Sequence, residues 1–185
     1  MHIPDGFVSM PVAATTLLAT LGVGVIAHKK INLYFNEDES RLPMVAASAA
    51  FVFAAQMLNF PILSGTSGHF LGAGFATAMF GPWVSFLILS VVLLIQCLIF
   101  GDGGVTAIGS NIFLMSVVSP WAFYGVHSLL KKYNFYLSIG VGSWASVVAA
   151  SVACSLLVGL SGVIEITKML SVMLPVHSLI GIGEA

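Results

Sequence analysis

Long apolar stretches broken by short polar punctuation set the pattern of this chain. Asp, Glu, Lys and Arg are absent from residues 6–28, 42–101, 103–130 and 133–164. A helix needs about 20 apolar residues to cross the hydrocarbon core of a bilayer. The pattern predicts spans near 8–28, 42–59, 70–81, 83–100, 105–129 and 135–160, with a last one starting at about 176. The stretch 42–101 is too long for one helix and is cut by NFPILSGTSGHFLG and by Gly81-Pro82. The 70–81 segment is short and is expected among other helices rather than against lipid. If Pro175 opens the last helix, ten residues follow it, or about 15 Å of helix. The expected fold class is therefore an all-α, polytopic helical bundle of about six complete spans plus a truncated seventh. No repeat, low-complexity tract or soluble domain interrupts it, so residues 1–185 read as a single transmembrane domain whose C-terminal helix is incomplete.

Composition supplies the surroundings. The chain is 58% hydrophobic and 7% charged, against about 25% charged in soluble domains, so the lipid bilayer is the expected environment. A net charge of −1, with no basic patch beyond two Lys-Lys pairs, gives no footprint for nucleic acid. Cys97 and Cys154 show neither CxxC nor Cys-His spacing, which argues against a disulfide or a zinc site. The N-terminus lacks the basic start and small-residue cleavage site of a secretory signal. There is no GxxxxGK[ST] motif, so the chain is not expected to hydrolyse ATP or to be an enzyme.

Charge placement gives an orientation. Lys29 and Lys30 are expected to close the first helix, Arg41 to open the second, and Lys131 and Lys132 to follow the fifth. Basic loops face the cytoplasm, and acidic Glu37, Asp38 and Glu39 count little against this. The N-terminus is then external, as are the 60–69 loop and the GDGG turn at 101–104, which places His2 and His69 on one side of the membrane.

That placement gives the opening MHIPDGF a candidate chemistry. The Met1 amine, the amide nitrogen of His2 and its Nδ1 can close fused five- and six-membered chelate rings around one metal. Such a set is all nitrogen and nearly coplanar, which suits Ni(II) or Cu(II) better than tetrahedral zinc. His69 can supply the fourth nitrogen, while Pro4 and Gly6 turn the strap back toward the first helix. The chelate geometry alone leaves a second reading open, a frayed N-terminal end without function.

MHIPDGF, SGTSGHFLGA, FGPW, LLIQCLIFGDGGVTAIGSNIFLM and PVHSLIGIGEA together resemble the CbiM/NikM family. These are the substrate-binding membrane components of energy-coupling factor transporters for cobalt and nickel. The resemblance, which runs the length of the chain, implies a seven-helix bundle with the N-terminus plugged into its external mouth. It implies Co(II) or Ni(II) as transported substrate, held by Met1, His2 and His69. It also implies partners: a transmembrane coupling protein of CbiQ/NikQ type, ATPase subunits of CbiO/NikO type, and often a small accessory protein of CbiN type. A prokaryotic inner (plasma) membrane location follows from the same resemblance. Cobalt and nickel are not distinguished, because the nearest ligands look the same for both.

The other polar residues carry two readings each. Asp102 shapes a turn or draws cations to the mouth. Asn111 orients His2 or His69, or makes an ordinary interhelical hydrogen bond. His177 and Glu184 share one face of the last helix and touch either metal or a partner subunit. His28 and His127 read as solvated interfacial groups, and Glu165 and Lys168 as a short external amphipathic stretch. Thr16, Thr20 and Gly24, like Gly68, Gly72 and Ala76, repeat every four residues; such rows suit close helix packing or docking on the coupling protein. From other classes, a bis-histidine haem protein using His69 and His177 and a non-metal membrane scaffold are the alternatives.

Overall fold

Helix α1 (Met10–Glu37) begins after an extended Ser9, with Pro11 in its first turn, where no backbone N–H is needed. It is one of six helices in a computed structural model that describes residues 1–62 and 66–185. The others are α2 (Arg41–Gln56), α3 (Ala73–Phe100), α4 (Ile108–Leu130), α5 (Phe135–Leu160) and α6 (Ile166–Glu184). All but α2 are long and apolar enough to cross a membrane. Residues 63–65, which include the first Ser-Gly of the SGTSGH motif, lie outside the described residues.

Several expected boundaries are corrected. Helix α1 does not stop at Lys29 and Lys30: residues 31–37 contain no breaker, and Ile31, Tyr34 and Phe35 pack on the core. Helix α6 starts at Ile166, ten residues before the expected 176. Glu165 and Lys168 thus form its first turn, with an exposed ion pair at 3.4 Å. Pro175 sits inside the helix on an exposed face, where the carbonyl of Ser171 loses its N–H partner without being buried. The 19 residues of α6 rise about 28 Å, so the last span is not the ten-residue stub the position of Pro175 suggested.

The loop after α2 holds an antiparallel hairpin, β1 (Phe60–Ile62) and β2 (Thr66–Gly68), with Phe60 opposite Gly68 and Pro61 opposite Ser67. Strands of three residues are too short to show a period of two in sequence. A Cβ on Gly68 would lie 2.8 Å from the Phe60 ring, so the bare glycine lets the ring close over the pair. The row Gly68, Gly72, Ala76 is therefore no helix face: Gly68 is in a strand, and Gly72 is left-handed (φ 72°) just before α3. The row Thr16, Thr20, Gly24 does pack as expected. Thr16 Oγ1 meets Ser110 Oγ at 2.7 Å, Thr20 donates to the Gly109 carbonyl at 3.2 Å, and Gly24 faces Phe86.

The feature that positions the site is a reversal within α3. Gly81 adopts φ 77° and ψ 171°, and Pro82 follows. The Thr77 hydroxyl donates to Ser85 Oγ at 3.1 Å across the bend, whereas residues eight apart in a straight helix are about 12 Å apart. The expected break at Gly81-Pro82 is thus a fold-back, and both flanks of α3 return to one end of the bundle. Helix α4 carries a π turn at Phe113–Val118, where Ser119 Oγ donates to the Leu114 carbonyl at 3.3 Å. Met1 and Ile3 belong to the continuous core that the helices bury.

The Gly81 conformation is one that only glycine adopts readily, and forcing another residue into it costs about 1–3 kcal/mol. Gly81→Ala is therefore expected to destabilise the protein by that amount although nothing lies within 4 Å of the added methyl. Thermal unfolding in detergent checks this, and an unchanged Tm would show that the bend does not depend on glycine.

Candidate metal centre

Residues 1–6 form a strap laid across the end of the bundle where both flanks of α3 meet the start of α4. The main chain of Ile3 is held on both sides by Asn111 of α4: its N–H donates to Oδ1 at 2.8 Å, and its carbonyl accepts from Nδ2 at 3.0 Å. The Gly104 amide donates to the same carbonyl at 2.9 Å. Gly104 has to be bare, since a Cβ there would stand 2.7 Å from the Pro4 carbonyl carbon. Asp5 Oδ1 accepts from the Thr106 hydroxyl at 2.5 Å and amide at 2.8 Å. These bonds, the hydroxyl's first, hold the Asp5 carboxyl below its usual range. Gly6, at φ 85°, then turns the chain toward α1.

The strap brings its nitrogens to a common point. The Met1 amine and the His2 amide both donate to Ser67 Oγ of β2, each at 3.1 Å. His2 Nε2 meets Gln96 Oε1 at 3.1 Å; with the Gln96 amide in this orientation its oxygen accepts, the ring proton is assigned to Nε2, and Nδ1 is a bare lone pair. His69 Nδ1 donates to the Phe70 carbonyl at 2.6 Å, which leaves its Nε2 bare as well. The rings of His2 and His69 lie 4.6 Å apart, tilted by 30°. Both bare nitrogens are buried and have no hydrogen-bond partner among the described residues.

Burial keeps these groups uncharged. It pushes the Met1 amine down to about 4 and His2 to about 3, with the positive N-terminus adding to the effect on His2. Burial likewise holds His69 well below its ordinary value, with positive charge at the N-terminus and on His2 adding to it. The amine and both imidazoles are thus lone-pair donors at neutral pH. No cluster of three or more His, Cys, Asp or Glu residues that could hold a metal occurs among the described residues. The Met1 amine and the His2 amide nitrogen belong to the main chain instead.

Residues 2–185 match the family described as the cobalt uptake substrate-specific transmembrane region. The chain belongs to the CbiM family. It is 36% identical, over its whole length and 61% of the relative, to a putative fused nickel transport protein NikMN of Archaeoglobus fulgidus. It is 35% identical to the cobalt transport protein CbiM of Acetohalobium arabaticum, covering 77% of this chain and 58% of that one. The chain thus spans less than two thirds of these relatives. A crystal structure described as a truncated transition metal transporter superposes with a TM-score of 0.93 at 33% identity, covering all of this chain and 92% of the other. CbiM-family proteins are membrane components of metal transport, and this chain is a multi-pass member with several apolar helices.

The remaining candidates of this CbiM-family chain fall in different places. His2 and His69 meet, as their expected common side of the membrane requires. Asn111 corrects its expectation: it holds the Ile3 main chain rather than either imidazole. Asp102 stands between left-handed Gly101 and Gly103, so it does shape a turn, and its Oδ1 lies 3.4 Å from His2 Nδ1. His177 is fully buried in α6 and donates from Nδ1 to the Met173 carbonyl at 2.9 Å. Its neighbour Glu184 accepts from the Leu71 and Gly72 amides, while Gln56 donates to the Leu71 carbonyl at 2.7 Å. Glu184 and Gln56 thereby satisfy the irregular backbone just after His69. His28 and His127 pair with Asn32 and Ser138.

Ser67 and Gln96 were not singled out by sequence reasoning. Gln96 carried a usable signal, as the lone polar residue in LLIQCLIF; Ser67 carried only its place two residues before His69. Removing a hydrogen-bond partner that orients a metal-binding imidazole costs about 10- to 100-fold in affinity. Gln96→Leu is expected to weaken Ni(II) or Co(II) binding by that factor with the fold retained, as read by calorimetry. An affinity within twofold of the parent would remove Gln96 from the orientation of His2.

Proposed function

We infer that this chain is the metal-capture subunit of an energy-coupling factor importer, taking up Ni(II) or Co(II) at the external face for ATP-driven transport. The Met1 amine, the His2 amide nitrogen and Nδ1, and His69 Nε2 form the binding set. The observation that carries this reading is convergence: amine and amide point at one atom, Ser67 Oγ, the His2 and His69 rings lie 4.6 Å apart, and one nitrogen of each is buried without a partner among the described residues. Buried lone pairs without partners are costly, and a cation compensates all of them at once. All-nitrogen coordination fits Ni(II) and is compatible with Co(II).

Orientation is supported by charge. Lys29 and Lys30 lie in the last third of α1, Arg41 opens α2, and Lys131 and Lys132 follow α4, all away from the strap that precedes α1. The positive-inside rule makes the basic side cytoplasmic and the strap external. Release inward then depends on a coupling protein of CbiQ/NikQ type and ATPase subunits of CbiO/NikO type. The fused NikMN relatives support an accessory protein of CbiN type beside them.

Nα-acetylation of Met1 turns the amine into an amide and removes its lone pair at neutral pH, which breaks the five-membered chelate ring. Affinity for Ni(II) is expected to fall by more than the roughly 100-fold typical of losing an outer partner. Calorimetry on tag-free protein checks this, and an unchanged affinity would overturn the N-terminal set.

Proton release gives a separate test. Reference values, near 8 for an amine and 6.5 for histidine, lead to an expectation of more than one proton released per metal at neutral pH. Burial corrects that expectation. With the amine near 4 and His2 near 3, both are already deprotonated at pH 7, and only the His2 amide proton remains to leave. About one proton per metal is expected at pH 7, with affinity rising about tenfold per pH unit between pH 5 and 8. Calorimetry in two buffers of different ionisation enthalpy measures the number. Zero would overturn amide coordination, and two or more would overturn the neutral buried amine.

A further inference from the structure

A hollow of about 320 Å³ opens beside the strap, lined by His2, Asn59, Thr66, Ser67 and Asp102 among others. Six coordinated waters take up roughly 180 Å³ at about 30 Å³ each, so the hollow holds an aqua ion with room to exchange water. Asp102 is the one acidic residue among its described lining residues, and no Lys or Arg lines it. Asn59 Nδ2 donates to Asp102 Oδ2 at 2.8 Å and fixes the carboxylate, while left-handed Gly101 and Gly103 carry it at the apex of a tight turn. The other nearby carboxylate, Asp5, is taken up by Thr106.

The second observation is on the opposite wall. His2 is 4% exposed, and its Nδ1, without a hydrogen-bond partner among the described residues, lies 3.4 Å from Asp102 Oδ1. With the ring proton on Nε2, no proton stands between these two electron-rich atoms. Two lone pairs facing each other across a shared hollow repel, and a cation between them turns that repulsion into attraction.

We propose that this hollow is a capture site for a hydrated divalent cation, with the Asp102 carboxylate as its anchor, from which the ion passes to the nitrogen set. The proposal rests on the N-terminal binding reading above and adds the step before it. A carboxylate with hydroxyl and amide oxygens suits a cation that still holds its water. Loss of that water to His2 Nδ1 begins the exchange of oxygen for nitrogen ligands. Once the His2 amide has lost its proton, the bound ion keeps one net positive charge, and Asp102 beside it supplies the balance a partly buried charge requires.

Stopped-flow mixing of the full chain with Ni(II) over a range of ionic strength tests the step, read by the visible absorption of the bound ion. Asp102→Asn is expected to slow association by about tenfold or more at low salt and to flatten its dependence on ionic strength. The band position at saturation should stay unchanged, because Asp102 leaves the metal before the final complex. Asp102→Glu should restore most of the rate and its salt dependence. An unchanged rate and salt dependence in Asp102→Asn would overturn the capture site. A shifted band would make Asp102 a ligand of the final complex and overturn the passing role. Nα-acetylation of Met1 separates the two readings. Failure of acetylation to weaken binding defeats the nitrogen set, whereas an unaltered Asp102→Asn association rate defeats only the capture step.

Discussion

Asn111 and Gly104 between them satisfy both polar groups of the Ile3 main chain, and the burial of the N-terminus depends on that. Backbone N–H and C=O groups taken out of water must find partners, and a chain end in an apolar bundle has an amine to accommodate as well. The strap solves this with side chains from α4 and the turn before it, leaving Met1 and Ile3 free to pack as core residues. The Ser67 hydroxyl takes the remaining amine and His2 amide protons. One acceptor thereby holds two successive nitrogens of the chain.

The fold-back at Gly81 makes this meeting place. A straight helix of the 28 residues in α3 would be about 42 Å long, and would carry His69 and Asp102 to opposite ends of the molecule. Folded, it delivers His69 from one flank and Gln96, Asp102 and Gly104 from the other to the same strap. The segment after His69 is irregular backbone inside the bundle, tolerated because Gln56 and Glu184 take its polar groups. Glu184 thereby ties the last helix to the segment that carries His69.

Electrostatics separates two kinds of donor. Burial keeps the amine and imidazoles neutral, and in the proposed reading these nitrogens bind the metal. The Asp102 carboxylate lies 3.4 Å from His2 Nδ1, and in the proposed reading it meets the hydrated ion first.

Much of this was legible in sequence. The absence of charge over long stretches determines the membrane environment and the helical class, since only paired backbone survives in lipid. Gly81-Pro82 marked the bend, and the charge pattern put His2 and His69 on one side, while Met1, His2 and His69 came together as a set only through the family resemblance. What tertiary structure alone decided lies where neighbours in space override local signals. Pro175 looked like a helix start but is tolerated within α6, because an exposed face absorbs its missing hydrogen bond. The β1–β2 hairpin is too short to have a period. Asn111 binds a main chain 108 residues away, and Ser67 receives protons from the first two residues; neither pairing leaves any trace in local pattern. Residue types and their spacing determined which donors were available. Long-range packing decided which lone pairs were left bare, because a histidine's free nitrogen is set by the partner its other nitrogen finds.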